Sequence, residues 1–153
     1  MQPWISRGLA LALLMVVIRS LLSVALEAWA AQSTALRLSA LVAFALAAAA
    51  YGARDGYRDR LANPDPAHGE DLTIRWLSAG LTAGVVAGCT ASLLRAMTPV
   101  DLGNNSWLFE ITSGAAWTML LIFASSTVGI AIARVNATRT SQQAPLAQPA
   151  STV

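Results

Sequence analysis

Gly52–Gly80 reads GARDGYRDRLANPDPAHGEDLTIRWLSAG and holds three arginines and five acids between Arg54 and Asp71. Apolar runs flank it on both sides. A stretch this charged cannot cross a bilayer, so it must lie in water between two pairs of hydrophobic segments. Its arginines place that water on the cytoplasmic side. The expected fold is an all-α membrane protein of four transmembrane helices with both termini inside, arranged as two hairpins joined by a charged cytoplasmic loop.

Composition points the same way. The 153 residues are 56% hydrophobic and 12% charged, with a mean hydropathy of +0.55, outside the range of an ordinary soluble domain. The net charge of +2 is small, and no basic stripe interleaved with aromatics suggests nucleic acid. One Cys and one His build neither a disulfide nor a zinc site, and no cofactor motif is present. Asp65, Glu70 and Asp71 lack the spacing of a calcium loop, so no metal site is expected.

Four spans are expected at about 5–27, 36–52, 74–95 and 109–133, followed by a polar, disordered cytoplasmic tail over 135–153. All six prolines fall outside the spans, as they should where every backbone hydrogen bond must be made within the helix. A signal peptide is the rival reading of the first run, since Arg7 precedes it and Ala28-Trp29-Ala30 resembles a cleavage site. Arg19, late in the apolar core, argues against it. Arg7, Arg54, Arg58, Arg60, Arg75, Arg134 and Arg139 share one side of the four-span topology, against Arg37 and Arg95 on the other. Trp4 and Trp76 are expected at the inner interface and Trp29 and Trp107 at the outer one.

Three groups of residues are candidates for function. Arg19 sits well inside the first span, at an insertion cost of about 2.5 to 3.5 kcal/mol. Such a residue calls for an acid. Counting along the helices brings its guanidinium to the depth of Glu110, with Glu27 two turns away on its own helix. The plainer reading is a snorkelling or structural arginine. Thr112, Ser113, Trp117 and Thr118 mark a candidate solute path, although hydroxyls in a span more often bond to their own helix or to a neighbour. Gly80, Gly84 and Gly88, beside Ala79, Ala83 and Ala87, form two rows of small residues that make the third helix the expected packing hub, within the bundle or in a homodimer.

DGYRDRLANPDPAHGEDLTIRWLSAG over 55–80, followed by NNSWLFEITSGAAW over 104–117, resembles the actinobacterial four-helix branch of the drug/metabolite transporter superfamily. The likeness spans most of the chain apart from the tail. It implies a small-solute transporter or exporter of the cytoplasmic membrane and names no substrate. The small multidrug resistance exporters, also four-span members of that superfamily, rely on a membrane-embedded glutamate in helix one. This chain offers Arg19 there instead, which favours an anionic or zwitterionic solute over a cationic drug. The alternative is a non-transporting scaffold or accessory subunit docking a partner through the small-residue face of helix three. An enzyme is not expected, because no His, Cys or paired carboxylates converge at one depth.

Overall fold

A computed structural model describes residues 3–63, 71–97 and 110–143, and these are almost entirely helical. Helix α1 spans Pro3–Ala28 and ends where the Trp29 amide donates to Ala25 O at 2.9 Å. A single 3-10 turn, Ala30–Gln32, reverses the chain into α2, Ser33–Ala62. Helix α3 spans Leu72–Met97, and a π turn at Glu110–Gly114 leads into α4, Ala115–Gln143. All four helices are long and apolar enough to cross a membrane.

Their surfaces show which solvent they suit. Leu13, Leu21, Val24, Leu46, Leu81, Trp117 and Leu120 all point outward. Large apolar side chains exposed all round would aggregate in water and are at home against lipid tails. The interior is built from smaller groups, with Ala48, Ala79, Ala83 and Ser126 buried alongside Leu11, Phe44, Trp76 and Ile122.

The helices form a ring in the order α1, α3, α4, α2. The α2–α4 seam is the most extensive, α1–α3 and α3–α4 are intermediate, and α1–α2 is the thinnest although a three-residue turn joins those two helices. Small residues set this hierarchy, because lipid gives helices no hydrophobic reason to associate and close backbone approach must do so. A Cβ on Gly52 would lie 2.7 Å from Ser126 Cα. On Gly56 it would lie 2.9 Å from Ile130 Cα, and on Gly129 3.0 Å from Ala49 Cα.

Several expectations are corrected. Helix α2 runs on past residue 52, where a connecting loop in water was expected; at 30 residues it is about 45 Å long, and only one face of the extension is exposed. Gly52, Asp55 and Gly56 are buried against neighbouring helices. Residues 135–143, expected to be disordered, continue α4, and Ala137 is buried. Residues 144–153 lie outside the described residues. Trp76, assigned to an interfacial belt, is a core residue at 1% exposure, because α3 turns that face toward α1 and α2 rather than outward. Helix α3 is a hub in the sense that it touches both α1 and α4, yet the closest seam belongs to α2 and α4.

Candidate functional site

One end of the bundle gathers most of the described charge. Helices α1 and α3 begin there, and α2 and α4 end there. On α2, Gly52, Asp55, Gly56 and Asp59 follow one another at helical spacing and share a face. The glycines let α2 sit directly on α4, and the two acids reach sideways to different helices. Arg7 of α1 donates from Nη2 to Asp55 Oδ1 at 2.9 Å. Arg134 of α4 donates from Nη2 to Asp59 Oδ2 at 2.7 Å. Both acids are deeply buried, with side-chain exposures of 8% and 6%. From α3, Arg75 and the Trp76 indole N–H also face Asp55. Trp76 Nε1 and Asp55 Oδ2 nevertheless make no well-formed hydrogen bond.

Outside the bundle, Asp71 caps α3. Its Oδ1 accepts the Thr73 amide at 2.9 Å, and that bond, reinforced by the Thr73 hydroxyl, holds the carboxyl below its ordinary range.

Arg19 is half-buried and lies eleven residues after Gly8, so the two share a face of α1. That face looks at α3, since a Cβ on Gly8 would meet Ala79 O at 2.9 Å and Thr82 Cβ at 3.0 Å. The same register carries Arg19 to the level of Thr90 and Ala91. Gly80 packs on Met119 and Gly84 on Ala115, a register that brings the backbone of Glu110 to the level of Cys89. Arg19 and the π turn therefore share a depth. The Glu110 side chain, and with it the expected Arg19 to Glu110 pair, lies outside the described residues. Glu27 is exposed in the last turn of α1, roughly 12 Å along the helix from Arg19.

The proposed line of polar groups on α4 does not form one face. Thr112, Ser113 and Trp117 are exposed, Trp117 at 62%, and Thr118 alone of the four turns inward. Its hydroxyl donates to Gly114 O at 2.9 Å. Ser126 and Thr127 likewise donate to Phe123 O, at 3.0 and 2.7 Å. These hydroxyls spend their protons on their own helix. In the small-residue rows, Ala79, Gly80, Ala83, Gly84, Ala87 and Gly88 are all buried.

The residues that sequence reading passed over are Gly52, Gly56 and Gly129, with the pairs Arg7–Asp55 and Arg134–Asp59. A usable signal was present: Gly52-x-x-x-Gly56 and Asp55-x-x-x-Asp59 interleave at i, i+3, i+4 and i+7, which marks one face of a helix rather than a loop. No family model matches the chain, and no curated protein matches it.

Proposed function

We propose that this chain is a multi-pass protein of the cytoplasmic membrane that carries a small anionic or zwitterionic solute, with Arg19 as the counter-charge. The observation that carries this reading is the position of Arg19, a half-buried cation deep in an apolar helix, on the face turned to α3 instead of lipid. In this topology the arginine-rich end faces the cytoplasm. Four slim helices enclose little volume, so a homodimer is the working form of this proposal.

A second reading has its own support. The inward hydroxyls of α4 are satisfied by their own helix and so are not committed to a solute, as in a scaffold that carries nothing across. Liposomes containing the purified chain separate the two. A carrier shows solute counterflow across a panel of organic anions and zwitterions, Arg19→Ala abolishes it, and Arg19→Lys retains part of it. Absence of counterflow across the panel, with specific capture of a membrane partner by the intact chain, overturns transport in favour of the scaffold; the small-residue row of α3 is not its docking face, since Gly80 and Gly84 pack on α4 inside the bundle.

A further inference from the structure

We propose that the α1–α2 seam is the opening edge of the bundle, latched at its charged end by the Arg7–Asp55 ion pair, while α2 and α4 move as one body. Three independent observations converge on this seam.

The first is packing. The α1–α2 seam is the thinnest of the four, and the described glycines of these helices are spent elsewhere. Gly8 goes to α3, and Gly52 and Gly56 go to α4. Interhelix attraction in lipid comes from close packing, so the seam without it separates at least cost.

The second is the chemistry of the pair. Arg7 and Asp55 meet through one hydrogen bond, Nη2 to Oδ1, while Arg7 Nη1 and Asp55 Oδ2 are both buried without a partner. A two-point guanidinium–carboxylate fork would compensate better for the loss of water. A buried pair satisfied at one point sits close to balance between attraction and desolvation, and separation rehydrates both of its orphaned atoms. The Trp76 indole N–H, also buried and without a partner, faces the same carboxylate and would share that water.

The third is the contrast one turn further along α2. Asp59 accepts from Arg134 at 2.7 Å over a seam where backbone lies on backbone, so the second ion pair crosses an interface that glycine already holds shut. Two acids four residues apart thus have different tasks. Asp59 ties α2 to its rigid partner, and Asp55 ties that unit to α1. The motion is a hinge or shear of packed helices about the remaining α1–α3 and α3–α4 seams.

Spin-label distances in proteoliposomes test this without any solute. In a Cys89→Ala background, labels at Ala10→Cys and Tyr57→Cys report α1–α2, and labels at Tyr57→Cys and Val135→Cys report α2–α4. With Asp55→Asn or Arg7→Gln, the α1–α2 distribution shifts to longer distances while α2–α4 stays as in the parent. The exchanged pair Arg7→Asp with Asp55→Arg restores the parent α1–α2 distance. An α1–α2 distance unmoved in both single variants overturns the latch, as does an equal shift across α2–α4. Should Asp55→Asn fail to insert, Arg7→Gln carries the same test, with the exchanged pair as its control.

Discussion

Gly129→Ala is the substitution that most directly tests why α2 and α4 pack as they do. The new Cβ would lie 2.8 Å from the carbonyl carbon of Ala49 and 3.0 Å from its Cα, with the Ala49 oxygen closer still. Every one of these atoms is backbone, so no rotamer change relieves the overlap and the helices must part by about half an ångström or more. Overpacking a close interface costs about 1 to 3 kcal/mol, and a clash with backbone belongs at the upper end. The intrinsic helix preference of Ala over Gly returns about 1 kcal/mol. The net loss is about 2 kcal/mol, close to a 30-fold change in the folding equilibrium. Reversible unfolding in mixed micelles of increasing SDS fraction, followed by near-UV circular dichroism, measures it. Gly80→Ala is the internal comparison. Its Cβ would meet Met119 O at 3.1 Å and Met119 Cγ at 3.4 Å, contacts that a small shift accommodates, so its effect stays within about 1 kcal/mol of zero. Adding Ala49→Gly to Gly129→Ala gives no rescue, because the obstruction is main chain. A Gly129→Ala protein as stable as the parent, or a Gly80→Ala protein equally weakened, would refute the reasoning.

Two further outcomes are expected. The Asp71 carboxyl is held below its ordinary range by the Thr73 amide, so the cap stabilises α3 fully above about pH 4 and this contribution is lost as pH falls through the lowered value. Asp71→Asn, which keeps a capping oxygen, removes that acid-side dependence, and a pH series of thermal melts in detergent would show no difference from the parent if the cap were unimportant. Among single-tryptophan variants in vesicles of brominated phosphatidylcholine, the one retaining Trp117 is strongly quenched and the one retaining Trp76 is shielded, in line with exposures of 62% and 1%. Equal quenching of the two would contradict the placement of α3 and α4.

Much of the fold was legible because it follows from length and polarity. Runs such as GLALALLMVVIRSLLSVAL can satisfy their backbone in lipid only as helices, and the charge between Arg54 and Asp71 forces a turn-round in water. Depth along a helix is legible in principle, because 1.5 Å per residue is a fixed ruler; the backbone register sets Arg19 and the π turn at one level, while the Glu110 side chain lies outside the described residues. The face a residue presents was harder to read. Trp76 and Trp117 both sit in uniformly apolar helices where periodicity carries no contrast, and one proved to be core and the other outward-facing.

The sequence alone determined that four helices stand in a bilayer with their charged ends together, because the cost of an unpaired peptide group or a bare charge in hydrocarbon depends only on local composition. The tertiary structure decided which helices touch and which acids pair. Gly52 and Gly56 could have served any neighbour, and so could Asp55 and Asp59. Their assignment to α4 and α1 comes from the ring order α1, α3, α4, α2, in which chain neighbours α1 and α2 share the loosest seam. Contacts of that kind are made across the bundle, between residues as far apart as Asp59 and Arg134, and a pattern read within one helix holds no information about the surface it will meet.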